Sequence, residues 1–253
     1  MDARAAGEAV VITGGSRGIG AAIARLAAER GHLVVVNYAT DAGAASDLVS
    51  GIEARGGRAA AVQADIGDEA GVLRLFAAVD ALAVPLGGLV NNAGVTGGFA
   101  RLEELSAAAL SRVLAVNVAG SFLCAREAVR RMSTRHGGQG GSIVNISSIA
   151  AKLGSAGEWI HYAASKGALD TLTLGLAREV AAEGIRVNAV APGLIATDLH
   201  AAAGAPDRLE RLAPGIPMGR AGTAEEVAEA ALWLMSPAAS YVTGAILPVG
   251  GGR

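Results

Sequence analysis

A glycine-rich turn near the start of the chain constrains the fold more than any other feature. The apolar run 10–12 is typical of a buried parallel strand, and residues 21–26 continue at helical spacing. Gly14, Gly18 and Gly20 lie between the two segments. Because they lack a Cβ atom, a ligand can approach the backbone, and the N–H groups at the start of a helix attract phosphate. The turn therefore predicts a strand, a tight loop and a helix that binds a pyrophosphate.

The same alternation of apolar runs and helical patterns continues along the chain. The further candidate strands are 32–38, 58–66, 86–90, 142–148, 185–191 and 245–249. Strands that alternate with helices predict an α/β fold with a doubly wound parallel sheet. No Pro/Ser-rich linker divides the 253 residues, so we expect a single domain over residues 1–253. Residues 194–220 form the one long irregular segment, and we expect them to be a lid on the substrate side.

The composition excludes several classes of function. A net charge of −2 offers no basic field for nucleic acid or an acidic membrane. No run reaches the roughly 20 apolar residues of a membrane span, and charges near residue 1 argue against a signal peptide. We therefore expect a soluble, cytoplasmic protein. Four scattered histidines predict no metal site, and the apolar neighbours of the single cysteine, Cys124, predict a buried thiol rather than a nucleophile.

Two residues near the turn favour NADP(H) over NAD(H). The second strand ends in Asn37, at the place where an acidic residue would bind the ribose 2′-hydroxyl. Arg17, inside the glycine loop, offers a cation to a 2′-phosphate, although it is also compatible with a solvated loop charge. Asp65, after the third strand, either faces the ligand or caps the next helix. Small residues and amides at 91–94 are expected to pack under an adenosine.

The sharpest chemical signal is Tyr162 followed by Lys166, which share one helix face at i and i+4. A phenol with an ordinary pKa of about 10 is a poor acid or base at neutral pH, and a nearby ammonium would lower its pKa. Two hydroxyls, Ser147 and Ser148, end the fifth strand. Asn117 interrupts the apolar stripe of a long helix at 102–135, so it must either carry a buried polar network or kink the helix.

In their order along the chain, these motifs resemble those of the short-chain dehydrogenase/reductase family over nearly the whole sequence. The matching residues are Thr13-Gly14 through Gly20, Asn91-Asn92-Ala93-Gly94, Asn117, Ser148, Tyr162 with Lys166, and Pro192-Gly193 followed by Thr197. The resemblance implies a Rossmann-type parallel sheet of about seven strands with helices on both faces. It also implies a homotetramer with helices around 110–130 and 162–182 at an interface.

The resemblance also implies roles for individual residues. Tyr162 would be the general acid or base at a carbonyl or alcohol oxygen that Ser148 hydrogen-bonds. Lys166 would bind the nicotinamide ribose and lower the phenol pKa, and Asn117 would hold a water that relays protons. The residues expected to contact the cofactor are Gly14, Ser16, Arg17, Gly18, Ile19, Gly20, Asn37, Asp65, Ile66, Asn92, Ala93, Gly94, Tyr162, Lys166, Pro192, Gly193 and Thr197.

The sequence departs from the family in the gap between Ser148 and Tyr162. Tyr162 lies fourteen positions after Ser148, one more than in many members, with Glu158-Trp159-Ile160 as the expected insertion. Ser147 is therefore an alternative catalytic hydroxyl, although the order Ser-Ser-Ile-Ala favours Ser148.

The leading hypothesis is an NADPH-dependent carbonyl reductase that acts on a small-molecule carbonyl or alcohol. The chain looks most similar to 3-oxoacyl-acyl-carrier-protein reductases. However, Glu183 stands where carrier-binding members tend to have a base, and its carboxylate would repel an acidic carrier. A sugar or polyol dehydrogenase is therefore a competing hypothesis, and glucose-dehydrogenase-like members are also similar. A third possibility is a catalytically silent dinucleotide-binding regulatory subunit.

Overall fold

The computed structural model describes residues 7–197, 205 and 207–253. Seven strands of these residues form one parallel sheet in the order β3-β2-β1-β4-β5-β6-β7. The strands are β1 Ala9–Ile12, β2 Leu33–Tyr38, β3 Arg58–Gln63, β4 Leu86–Asn91, β5 Gly141–Ile146, β6 Ile185–Pro192 and β7 Ile246–Val249. The α/β class, the parallel sheet and the seven strands predicted from the sequence are confirmed.

Helices connect the strands. They are α1 Gly18–Glu29, α2 Ala42–Glu53, α3 Glu69–Asp80, α4 Ala107–Val113, α5 Ser121–Met132, α6 Ala150–Leu153, α7 Ile160–Val180, α8 Arg208–Leu212 and α9 Ala224–Met235. Local sequence signals define several of their ends. Asp41 and Asp68 cap the N-termini of α2 and α3, and Thr223 with Glu226 forms a capping box at α9.

Alternate side chains of the strands supply a core on each face of the sheet. On one face, Val10 and Ile12 of β1 pack with α1, α2 and α9. On the other, Val11 packs with α3, α5 and α7, where the Phe76 ring is completely buried. Full burial of each large apolar side chain contributes about 1.5–3 kcal/mol. The helices are therefore held on both faces, as the doubly wound arrangement predicts.

The strand order places the functional segments at one edge. In the sheet order the chain changes direction between β1 and β4, and ligands of open α/β sheets bind at the carboxyl ends of the strands beside such a switch point. The glycine turn follows β1, residues 92–95 follow β4, and Ser147 follows β5. These segments therefore converge although they are far apart in the sequence.

The prediction of one long helix over 102–135 is wrong in detail. A 3-10 turn at Leu102–Glu104 precedes α4, and a π-helical segment, Leu114–Gly120, joins α4 to α5. Wider π turns often mark functional positions, and Asn117 lies within this one. Among the described residues, one helical stretch, Ala107–Met132, has the length and apolarity of a membrane span, a property that core helices of globular proteins share.

The segment 194–220, expected to be a lid, lies partly outside the described residues, which omit 198–204 and 206. Within it, Ile195 bridges to Gly222, and α8 is followed by a 3-10 turn, Ala213–Gly215.

Candidate active site

A cleft of about 350 Å³ follows the carboxyl edge of the sheet on both sides of the switch point. All of the residues expected to bind the cofactor line it except Gly20. Ser148 also lines the cleft, whereas Asn117 does not. Further lining residues that the sequence analysis did not single out include Tyr38, Ala39, Thr40, Asp41, Val95, Arg112, Val116, Ile146 and Ile195. Residues from six strand ends therefore share one surface.

The glycine turn is shaped for close approach. Gly14 and Gly18 have φ angles of +59° and +52°, in the left-handed region that favours glycine. The N-cap residue of α1, Arg17, makes no side-chain capping bond. The amide groups that begin α1 are thus available to an anion in the cleft.

Gly20 acts from behind this surface. A Cβ atom there would lie 2.5 Å from the Asn92 amide nitrogen and 2.6 Å from the Gly14 carbonyl oxygen. The Asn92 side-chain nitrogen donates to the carbonyls of Thr13 and Gly14, both at 2.9 Å, and the Thr13 hydroxyl accepts from the Asn92 backbone N–H. The absence of a side chain at Gly20 lets β4 lock the turn in place.

Asn37 lines the cleft, but its side chain bonds to the protein itself. Asn37 is buried, and its amide oxygen accepts a hydrogen bond of 3.2 Å from the Gly14 N–H. Its amide nitrogen donates to the Ala64 carbonyl at 2.9 Å. The side chain therefore braces the glycine turn against β3, and its polar atoms are occupied by the protein. At the rim of the cleft the strand instead continues into Tyr38 and the residues up to Asp41.

Arg17 has an acidic neighbour that the sequence analysis missed. Its guanidinium lies 3.9 Å from the Asp41 carboxylate, and both side chains are largely exposed. Asp41 also accepts the capping bond of Ala44 at the start of α2. The rim of the cleft at this end thus carries one cation and one carboxylate.

At the end of β3, Asp65 is held by Arg112 through two hydrogen bonds of 2.8 and 3.2 Å. The guanidinium and the Gly67 N–H lower the pKa of this carboxyl against the opposing effect of burial. Asp65 does not cap α3, because Asp68 does. Of the two alternatives for Asp65, a place in the cleft is the one that the structure supports.

The pairing of the hydroxyls distinguishes the two serines. The Ser148 side chain hydrogen-bonds the Tyr162 phenol and lowers its pKa, but burial dominates and raises the pKa to about 12. Ser147 instead donates to the Asp170 carboxylate at 2.6 Å. The geometry therefore favours Ser148 as the hydroxyl beside the phenol.

Lys166 is buried one helical turn beyond Tyr162, with its ammonium 5.6 Å from the centre of the phenol ring. The Nζ atom donates to the Ile146 carbonyl at 2.7 Å. Burial lowers the lysine pKa to about 8, while the Asp170 charge opposes this shift. For the Tyr162 phenol, the effect of burial outweighs the lowering effect of Ser148, and a phenol pKa lowered by Lys166 stays a prediction.

Asn117 makes the polar network expected of a buried amide. Its oxygen accepts from the Val95 N–H at 2.8 Å, and its nitrogen donates to the Val95 carbonyl at 2.9 Å and the Ser165 hydroxyl at 3.0 Å. A Cβ atom on Gly94 would lie within 3.5 Å of both Asn117 Oδ1 and Lys166 Nζ. Asn117 therefore joins the loop after β4 to α7 directly behind the Tyr162 and Lys166 pair.

Two other titratable groups lie away from this chemistry. Cys124 is buried, and burial raises its thiol pKa to about 12, which suits a structural thiol. The expectation for Glu183 needs a correction. Its side chain is buried, accepts a hydrogen bond from the Ser133 hydroxyl and forms an ion pair with Arg135 at 3.0 Å. Arg135 balances the charge of this carboxylate, so the expected repulsion of an acidic partner is reduced. The described part of the chain holds no cluster of three or more His, Cys, Asp or Glu side chains that could bind a metal.

Comparison with known proteins points to one family. A family model described as enoyl-(acyl carrier protein) reductase matches residues 14–253. An uncharacterized oxidoreductase of Escherichia coli, YgfF, is 53% identical over 96% of this chain and 98% of its own length. Glucose 1-dehydrogenase 2 of Bacillus subtilis is 39% identical over 97% of this chain and 94% of its own length.

A solved structure gives the same result. A short-chain dehydrogenase from Burkholderia cenocepacia J2315, crystallised in complex with NADP, is 35% identical and superimposes with a TM-score of 0.90 over 98% of both chains. The shared fold and the near-complete coverage agree with the order of motifs along this sequence. The chain is thus an oxidoreductase of the short-chain dehydrogenase/reductase family.

Proposed function

We propose that the protein is an NADP(H)-dependent oxidoreductase that transfers a hydride between the nicotinamide and a carbonyl or secondary alcohol. The observation that carries this proposal is the convergence of Ser148, Tyr162 and Lys166 on the same cleft as the glycine turn. A proton donor, a partner for the substrate oxygen and a buried cation are thereby held beside a dinucleotide cradle. The NADP bound by the Burkholderia relative supports the choice of cofactor.

The residues present fit the cofactor. The left-handed glycines and the uncapped start of α1 suit a pyrophosphate, and Asp65 and Ile66 offer a carboxylate and an apolar wall to the adenine. Lys166 Nζ would hold the nicotinamide ribose. When bound, NADP(H) supplies or takes up the hydride.

The protein's own residues supply the proton of the reaction and stabilise the group that gives it up. Because the pKa of Tyr162 is raised to about 12, the phenol keeps its proton at neutral pH, and its action as a general acid depends on groups that stabilise the phenolate as the proton leaves. Ser148 would hydrogen-bond the same substrate oxygen. With a pKa of about 8, the Lys166 ammonium stays mostly charged at pH 7 and stabilises the phenolate that remains after the proton leaves. Asn117 holds the loop and helix that carry these groups, and we propose that it also holds the water that relays protons.

The preference for NADPH is expected to depend on the balance between Arg17 and Asp41. Asp41→Asn removes the carboxylate near Arg17 but keeps a residue that caps α2. We expect the ratio of kcat/KM for NADPH to that for NADH to rise about two- to fivefold, since an exposed charge interaction is worth up to about 1 kcal/mol. Arg17→Gln should lower the same ratio about tenfold or more, because a charged hydrogen bond contributes about 1.5–3 kcal/mol.

Steady-state kinetics with both cofactors measure this ratio. Asp47→Asn is the matched control, since Asp47 is exposed on the same helix and does not line the cleft. An unchanged ratio in Arg17→Gln would contradict the assignment of the 2′-phosphate to this end of the cleft.

The test of the function is oxidation of NADPH, followed at 340 nm, with a panel of ketones, aldehydes and an acetoacetyl thioester. Sugar or polyol oxidation is the second candidate, because of the 39% identity to a glucose 1-dehydrogenase, and NADP reduction with glucose and polyols tests it. We expect carbonyl reduction with a clear preference for NADPH. Tight NADPH binding without turnover of any compound would favour a silent regulatory subunit, and a preference for NADH would overturn the choice of cofactor.

We also propose a homotetramer, supported by apolar side chains on α5, α7 and the π segment that remain exposed in the single chain. Phe122, Leu114 and Leu174 are 47%, 42% and 41% exposed. Exposed large apolar side chains on neighbouring helices are typical of subunit interfaces. Phe122→Asp should shift the mass measured by light scattering from four chains to a smaller species. A wild-type protein that elutes as one chain would contradict this proposal.

A further inference from the structure

A cluster of aromatic rings around one ion pair lies beside the Tyr162 ring. Phe99 comes from the loop after β4, Trp159 directly precedes α7, and Arg208 begins α8. The ring centres of Phe99 and Trp159 are 4.6 Å apart. The Trp159 ring centre is 6.0 Å from that of Tyr162, and the two planes meet at 70°, an edge-on contact. We call Phe99, Trp159, Glu158 and Arg208 the Trp159 cluster.

Arg208 is the centre of this cluster. Its side chain is 8% exposed, and its guanidinium carbon lies 4.6 Å from the Trp159 ring centre and 5.8 Å from that of Phe99. Cations in such positions are attracted to the faces of aromatic rings. The Nη1 atom donates to the Glu158 carboxylate at 2.6 Å, and this bond lowers the pKa of Glu158.

Burial of a guanidinium at this position costs free energy of folding. Arg208 Nε is buried and has no hydrogen-bond partner among the described residues. An unpaired buried donor destabilises a fold, and apolar side chains often replace a buried ion pair without loss of stability. Arg208 is therefore better explained by what it holds in place than by a gain in stability.

What it holds are the segments on either side of the phenol. The Glu158 carbonyl accepts a hydrogen bond of 3.1 Å from the Ala100 N–H, which ties the loop after β4 to the start of α7. The Arg208 ion pair adds α8 to the same junction. Trp159 is 4% exposed within this junction and reaches Tyr162 edge-on. A movement of Arg208 would therefore reach the phenol ring through the indole.

We propose that Arg208 is a positioning residue for Tyr162: its guanidinium fixes the Trp159 indole, and the indole edge fixes the phenol ring against the cleft. This inference rests on the proposed function, which makes Tyr162 the proton donor. It also gives a purpose to Glu158-Trp159-Ile160, where the sequence predicts an insertion, because this stretch supplies both the indole and the counter-ion.

The test uses Arg208→Gln and Arg208→Lys in a Trp233→Phe background, where Trp159 is the one remaining tryptophan. Trp233 is 42% exposed on α9, so its replacement is mild. In Arg208→Gln we expect kcat to fall about ten- to hundredfold, because even a small misplacement of a catalytic group lowers the rate by such a factor. The Kd for NADPH should stay within about twofold, and the Trp159 emission should shift. Arg208→Lys keeps the cation over the indole and should recover most of the kcat.

Arg211→Gln is the matched control, because Arg211 lies on the same helix with a 55% exposed side chain. It should change neither kcat nor the emission. If Arg208→Gln does not fold, Glu158→Gln carries the same test, since it leaves Arg208 without its counter-ion.

Two kinetic results would overturn the proposal: an unchanged kcat in Arg208→Gln, or an equal loss of kcat in Arg208→Gln and Arg208→Lys. The emission separates this inference from the proposed function, because it needs no turnover. A wild-type protein that reduces no carbonyl refutes the function. An emission that stays the same without the guanidinium refutes the positioning of Trp159 by Arg208.

Discussion

Tyr162→Phe is expected to lower kcat by about 10²- to 10⁴-fold, the usual contribution of a general acid, while the Kd for NADPH changes little. The phenol is the acidic group that Ser148 hydrogen-bonds in the cleft. Phenylalanine keeps the ring and its edge-on contact with Trp159, so the loss is confined to the proton. Initial rates of NADPH oxidation with the best carbonyl of the panel measure kcat, and quenching of protein fluorescence measures the Kd.

Tyr241→Phe is the matched control, because Tyr241 is fully exposed and the chemical change is the same. It should keep the wild-type kcat. A Tyr162→Phe variant that retains more than a tenth of the wild-type kcat would show that another group donates the proton.

The second large effect is expected from Gly20→Ala, a change of one methyl group behind the turn. The new Cβ atom would meet the Asn92 side chain at 2.5 Å, the Gly14 carbonyl at 2.6 Å and the Gly15 Cα atom at 2.9 Å. Two of these neighbours are backbone atoms of the cradle itself, so relief of the clash must distort it. Overpacking of this kind costs about 1–3 kcal/mol. We expect the free energy of unfolding to fall by that amount, and the Kd for NADPH to rise about 5- to 150-fold if the distortion carries over to the cradle.

Gly51→Ala provides the control. Gly51 is exposed within α2, and a Cβ atom there meets nothing within 4 Å. Alanine should raise the stability by about 0.5–1 kcal/mol through its higher helix propensity and leave the Kd unchanged. Urea unfolding and cofactor titration measure both quantities. Equal behaviour of the two alanine variants would contradict the role given to Gly20.

The sequence alone predicts the sheet because local patterns determine its parts. Buried parallel strands such as β2 are runs of β-branched residues, and glycines mark the turn before α1. The pair of Tyr162 and Lys166 is also local, since one helical turn brings the two side chains together. The break around Asn117 could not be located, because an apolar stripe fits a π turn nearly as well as an α-helix over seven residues.

The remaining features depend on contacts between distant segments. Asn37 lies near the end of a strand, but the direction of its side chain is set by Gly14 on one side and Ala64 on the other. The partner of Asp65 lies 47 residues away and that of Arg208 lies 50 residues away. No periodicity connects such pairs, so the rim of the cleft and the Trp159 cluster emerge from the tertiary structure.

Transfer of an isotope from the cofactor tests the central claim most directly. NADPH that carries deuterium at the transferable C4 position is incubated with the protein and a reactive carbonyl, and the alcohol is analysed by mass spectrometry. We predict one deuterium on the carbinol carbon with the wild-type protein, and labelled alcohol that forms about 10²- to 10⁴-fold more slowly with Tyr162→Phe. A wild-type protein that binds the labelled cofactor but yields no labelled alcohol from any carbonyl would contradict the account.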